Sequence, residues 1–272
     1  MKKIILCIGL FAFTAITTTI KAQDTASIYR KLDSIAVIDQ KVMMPMRDGI
    51  RLATDIYRPK GDGKYPIVFS RTPYNFNTWV DGKMTTRSLE DAYQAVSRGY
   101  VYVVQNERGR FFSEGEWDIL GTPITDGYDA FDWMSKQSWS NGKVGLNGVS
   151  YYGIKAWQVA SLQPSHLAAM CVWEGATDWY RDMTHHGGIL STFWANWYDM
   201  QVKNVQHGLA DRGPKSQVTG ELICGTKSLT DDELAQNRCN FGEDILEHPL
   251  DDDYHKKRSA VWSKITTPLL TA

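Results

Sequence analysis

Cysteine is scarce in this 272-residue sequence. It has four, too few to staple a small disulfide scaffold. Neither sign of charge dominates, because 30 Lys and Arg face 31 Asp and Glu. No basic surplus is therefore available to hold nucleic acid or an anionic membrane. Internal repeats, low-complexity tracts and the H-E-x-x-H frame of helical zinc sites are all missing. What is present is 43% hydrophobic and 12% aromatic residues, enough to bury a substantial core. The composition fits one sizeable globular domain, or one domain carrying an insertion.

The first 22 residues read as separate from that domain. Met1-Lys2-Lys3 precedes an uncharged stretch from Ile4 to Ile20, and small Ala22 stands before polar Gln23-Asp24. This order of basic start, apolar run and small residue predicts a secretory signal cleaved near Ala22, hence a periplasmic or secreted protein. Thr14, Thr17, Thr18 and Thr19 dilute the run, which argues against a retained membrane anchor. Export would permit disulfides. Cys224 and Cys239 flank a polar segment and could pair, closing a loop that would contribute about 3 kcal/mol. Cys171 lies in the apolar run Ala168–Trp173 and reads as a small buried hydrophobe.

Along the chain, strand and helix patterns alternate. Residues 42–57 read as a hairpin around Asp48-Gly49, which supplies the positive φ of a tight reversal. Residues 65–70 and 100–105 are β-branched and aromatic runs typical of buried strands. Thr85 to Ser97 has helical spacing, as do Asp126–Lys136 and Tyr151–Leu162. Residues 143–147 and 168–173 are further strand candidates. This rhythm predicts a parallel sheet with helices on both faces. Residues 23–180 form the first part of that α/β core and 181–260 an inserted helical cap. Residues 261–272 begin a returning buried strand, in which the sequence stops, so the domain is expected to be incomplete at its C-terminus.

Gly148-Val149-Ser150-Tyr151-Tyr152-Gly153 falls where the strand from Lys143 meets the helix from Tyr151. A serine on such a sharp turn projects its hydroxyl above the sheet edge, with the next backbone N–H aimed at a developing oxyanion. Gly148 allows the tight approach, since a side chain there would strike the neighbouring strand. The competing readings are a helix-capping serine and a phosphate loop. The latter fails because Ile154, not Lys, follows Gly153.

On these residues the sequence resembles the X-Pro dipeptidyl-peptidase and cocaine-esterase type (CocE/NonD) hydrolases, which include α-amino-acid ester hydrolases and cephalosporin acylases. Their nucleophile motif is G-x-S-Y-x-G, matching Gly148 to Gly153. Met46–Pro59, Arg71-Thr-Pro-Tyr74, Arg108-Gly-Arg110 with Ser113-Glu-Gly115, and Thr125-Asp-Gly-Tyr-Asp129 are similar too. The resemblance implies an α/β-hydrolase fold that needs no cofactor or metal and acts on esters, amides or Xaa-Pro peptides. By it, Ser150 is the nucleophile, with the Tyr74 phenol and the Tyr151 backbone N–H as oxyanion donors.

Other roles follow more loosely. Arg108 and Arg110 could meet a substrate carboxylate, but ion pairs with Glu107 or Asp129, under the active-site loops, are the favoured expectation. The family usually has aspartate where Glu107 stands. Asp182 lies where related acids hold a substrate ammonium, against a plain capping role. Trp79, Trp117, Trp179, Trp194 and Trp197 could line an acyl pocket or simply form core. No residue matches the family's acid or base, which would lie beyond Ala272, and the 272 residues are expected to be inactive by themselves. Two rival readings stay open: a non-catalytic binding module on the same fold, and a metal-dependent hydrolase using His185 and His186. Oligomeric state is equally open.

Overall fold

The computed structural model describes residues 25–119 and 125–272; the expected signal segment lies outside them. A helix over residues 25–35 (α1) leads into β1 (Ala36–Pro45), which pairs antiparallel with β2 (Arg51–Pro59) across the expected Asp48-Gly49 turn. Then follow β3 (Tyr65–Thr72), a small hairpin of β4 (Asn77–Val80) and β5 (Lys83–Thr86), α2 (Leu89–Ser97) and β6 (Val101–Asn106). Next come α3 (Thr125–Ser135), β7 (Ser140–Val149), α4 (Tyr151–Ser161) and β8 (Leu167–Trp173).

The central sheet has the order β1-β2-β6-β3-β7-β8, with a last strand, β11 (Leu269–Thr271), beside β8. From β6 to β11 every neighbouring pair is parallel. This is the expected mostly parallel α/β sheet. Alternation along β6 explains the two layers. Val101 and Val103 join Ile67, Phe69 and Leu146 beneath α3 and α4, while Tyr102 and Val104 pack with Tyr29, Leu32 and Ala92 of α1 and α2.

Three local expectations change. Thr85 and Thr86 belong to β5, so the helix starts at Leu89; the Asp81-Gly82 pair that closes this hairpin is a turn signal the periodicity reading passes over. Leu269 and Leu270 do form a strand on β8, but they are exposed rather than buried because nothing described packs over that edge. Cys224 and Cys239 are both free thiols. The Cys224 sulfur lies against Gly213, whereas Cys239 accepts the Ile119 N–H at 3.3 Å. Burial pushes both thiols up to about 12, which leaves them unreactive near neutrality.

Residues 179–258 carry a π-helical turn (Trp179–Thr184), a two-residue hairpin of β9 (His185–His186) and β10 (Ile189–Leu190), and four short helices. The helices are α5 (Phe193–Gln201), α6 (Asp231–Gln236), α7 (Phe241–Glu247) and α8 (Asp253–Arg258). Four tryptophans, 117, 179, 194 and 197, are buried with Tyr151, Ile154 and Phe241. They form the core between α4 and this segment. No helix among the described residues is long and apolar enough to cross a membrane.

One buried acid gives a pH prediction. Asp55 on β2 is fully buried and accepts the Lys41 backbone N–H and the Asn77 amide, each at 2.8 Å. Burial nevertheless raises its carboxyl from 3.8 to about 6, against those two bonds. A carboxyl raised in the folded state stabilises fully below its unfolded pKa, and the contribution is lost as pH rises through the folded value. Stability from this group should therefore fall by about 2–3 kcal/mol between about pH 4 and pH 7. Asp55→Asn should flatten that part of the profile. Denaturant midpoints across this range test it, and an unchanged slope in the variant refutes the assignment.

Candidate active site

β7 ends at Val149 and α4 starts at Tyr151, so Ser150 alone joins strand to helix. Its backbone lies at φ 55°, ψ −124°, a conformation that costs a residue with a Cβ about 1–3 kcal/mol. The turn is held on both sides. The Ser150 N–H donates to the Trp173 carbonyl at the end of β8 (2.9 Å), and its carbonyl accepts from Ile154 N–H (3.1 Å). The residue is exposed. Although it occupies the N-cap position of α4, its hydroxyl makes no capping bond, which removes the helix-capping reading.

The two glycines of the motif have separate jobs. A Cβ at Gly148 would lie 2.5 Å from the Tyr152 carbonyl carbon and 2.8 Å from the Gly153 nitrogen. The obstacle is thus the first turn of α4, not the neighbouring strand that the sequence reading blames. The neighbouring strand instead limits Gly153, whose Cβ would meet Val172 Cγ1 at 2.8 Å. Glycine is needed at 153 because α4 there presses onto β8.

Tyr74 follows the end of β3 and packs among Tyr151, Tyr152 and Trp197, with ring centroids 6.3, 5.9 and 6.4 Å away. Trp197 Nε1–H donates to its phenol oxygen at 3.4 Å. No described group accepts the phenol's own proton, and burial raises its pKa, so it stays a donor at neutral pH. The loop is pinned from below. Asn106 Nδ2 donates to the Tyr74 carbonyl at 2.8 Å, and buried Arg110 donates to the Pro73 carbonyl at 3.0 and 3.2 Å. On the other side, the Tyr151 phenol donates to Glu107 at 2.9 Å while Lys155 Nζ stands 3.6 Å from the same carboxylate. Tyr151 and Lys155, one turn apart, thus tie the start of α4 to the end of β6.

The sequence model of the X-Pro dipeptidyl-peptidase family (S15 family) matches residues 48–272. The chain belongs to this family. The cocaine esterase of Rhodococcus sp. (strain MB1 Bresler) is 39% identical over 156 residues, covering 57% of this chain and 26% of the esterase. The crystal structure of a CocE/NonD family hydrolase from Staphylococcus aureus matches with a TM-score of 0.66 at 29% identity, over 87% of this chain and 40% of that one. An α-amino acid ester hydrolase shares the fold, with a TM-score of 0.64 at 22% identity, over 87% of this chain and 42% of its own. The chain therefore spans well under half the length of each of these relatives.

Within this S15-family chain the arginines are structural, though not with the partners expected. Arg108 bonds Asp126 at 2.6 and 2.9 Å and Asp48 at 2.9 Å. Asp129 instead takes Arg47. Arg110 has no carboxylate partner among the described residues; burial pulls its guanidinium down to about 10, so it remains charged at neutral pH and lies 5.1 Å over the Trp117 ring. Asn106 is the positioning residue that sequence reasoning missed. Nothing local marks it, since its role exists only once β6 lies beside β3.

Asp182 is a turn acid. Its Oδ2 accepts the Thr177 N–H and hydroxyl, both at 2.7 Å, and the Asp178 N–H at 2.9 Å. Burial acts to raise its pKa, but these bonds outweigh that and hold it low. The capping expectation describes it, and the ammonium-binding role finds no support in this placement. His185 and His186 are adjacent on one strand and so point to opposite faces. His185 is buried against Tyr180, at 4.7 Å between ring centroids, and His186 is exposed. They cannot share a metal. Among the described residues no group of three or more His, Cys, Asp or Glu could hold one.

Proposed function

We propose that the protein is an exported serine hydrolase that cleaves ester or amide bonds, Xaa-Pro peptide bonds included, through an acyl-enzyme on Ser150. The observation that carries this is the strained strand-to-helix turn at Ser150, whose exposed hydroxyl caps nothing. The Ser150 oxygen attacks the substrate carbonyl carbon and its proton passes to a general base. The Tyr151 N–H, at the first position of α4 and without an intrahelical acceptor, and the Tyr74 phenol donate to the oxyanion. Collapse expels the alcohol or amine, which takes up the proton, and water then releases the acid.

A histidine normally serves as the base, and the six here are engaged elsewhere or exposed. His166 bonds the Gly142 carbonyl, His207 the Phe111 carbonyl, His185 the Thr184 hydroxyl, and His248 and His255 share Asp252. None bonds Ser150. The 272 residues by themselves are therefore expected to show ester turnover indistinguishable from buffer. The protein expressed from its complete gene should be labelled by a fluorophosphonate at Ser150, and Ser150→Ala should not. Absence of labelling in the former supports a non-catalytic module on this fold.

A further inference from the structure

A cleft of about 450 Å³ opens directly beyond Tyr74. Asn75, the next residue, and Asn77 at the start of β4 lie on its wall, with Trp79 and Phe112 as its aromatic surfaces. Two cations line it, Arg87 and Lys215, and neither has an ion-pair or side-chain hydrogen-bond partner among the described residues. The cleft's other charge is already matched: Glu221 is paired with Lys41, whose ammonium also rests 3.8 Å over the Phe112 ring. The nearby buried acid Asp55 is turned to Asn77 and the Lys41 backbone. Uncompensated positive charge between two aromatic rings is thus what the cleft presents to a ligand.

The cleft neighbours the Tyr74 loop, because its Asn75 directly follows Tyr74, and Tyr74 meets the start of α4 at Tyr152. The two rings lie 5.9 Å apart between centroids. A substrate arm that passes Tyr74 along Asn75 would enter this cleft, which Arg87 also lines. We infer that this cleft is a subsite for a flat or aromatic substrate arm ending in a carboxylate, held by Arg87 and Lys215 between Trp79 and Phe112. Planar guanidinium suits a carboxylate bidentately, and the aromatic walls suit a flat arm. The substrate class is then acyl esters or amides that carry a free carboxylate, such as N-acyl amino acids or short peptides with a free C-terminus. This inference rests on the hydrolase reading for its connection to Ser150, but its test does not.

Calorimetric titration of the protein with hippurate and with its uncharged amide, hippuramide, reads binding without any chemistry. Saturable hippurate binding is expected, about tenfold or more tighter than hippuramide, the scale of a charge-assisted hydrogen bond. Arg87→Gln should weaken hippurate by about tenfold and leave hippuramide alone, and Lys215→Gln should act in the same direction. Both side chains are exposed and unpaired among the described residues, so neither change threatens folding. Ser150→Ala should bind hippurate as well as the unaltered protein does. Equal affinity for acid and amide, no saturable binding, or an undiminished affinity in Arg87→Gln overturns the subsite. Failure of Ser150 labelling with hippurate binding intact would instead count against the hydrolase reading and leave the subsite standing.

Discussion

Ser150→Gly is expected to stabilise the protein and silence its chemistry together. At φ 55°, ψ −124° a serine carries about 1–3 kcal/mol of backbone strain, which glycine, lacking a Cβ, does not feel. Glycine gives back about 1 kcal/mol through the larger entropy of its unfolded chain, so a net gain of about 1 kcal/mol remains. Ser150→Ala keeps the Cβ and therefore the strain, so its stability should match that of the unaltered chain. Chemically the two variants should be alike. Removal of a serine nucleophile typically costs on the order of 10⁶ in kcat, and both should lose fluorophosphonate labelling. Denaturant unfolding of the pair is the sharp comparison, because it isolates backbone geometry from chemistry. If the glycine variant is no more stable than the alanine variant, the turn is not strained and the main support for the nucleophile goes with it.

Tyr74→Phe, in the protein expressed from its complete gene, should lower kcat by about 10²–10³ while leaving KM nearly unchanged, the usual outcome of deleting one oxyanion donor. The phenol oxygen already accepts from Trp197, and its proton has no acceptor among the described residues. That combination orients the hydroxyl and keeps it available for charge that develops only in the transition state. The substitution keeps the ring contacts with Tyr151, Tyr152 and Trp197 and forfeits one weak bond, so stability should drop by no more than about 1 kcal/mol. A rise in KM alone would make Tyr74 a binding residue. A large loss of stability with kcat preserved would make it a structural one.

Much of the fold was legible because its signals are local. Alternation of short β-branched strands with amphipathic helices announces a parallel sheet, and the Asp48-Gly49 pair announces its first hairpin. The same rule, applied to Asp81-Gly82, would have recovered the β4–β5 hairpin. Thr85 and Thr86 were drawn instead into the helix that begins at Leu89, because helical spacing does not itself mark where a helix starts. Cys224 and Cys239 illustrate the opposite limit. Their separation along the chain permits a bond, but packing sends one sulfur against Gly213 and the other to the Ile119 N–H.

The sequence alone determined the strand-to-helix junction at Ser150, the need for glycine at 148, and the S15-family membership carried by the motifs around them, since each depends on residues close together in the chain; the need for glycine at 153 comes from Val172 of β8. Tertiary structure decided what those residues touch: that Arg110 and Asn106 hold the Tyr74 loop, that Glu107 ties down α4, that Asp182 caps its own turn, and that Arg87 and Lys215 face one cleft. Such contacts join positions tens of residues apart, and the folding of the sheet, rather than any spacing in the sequence, brings them within hydrogen-bonding reach.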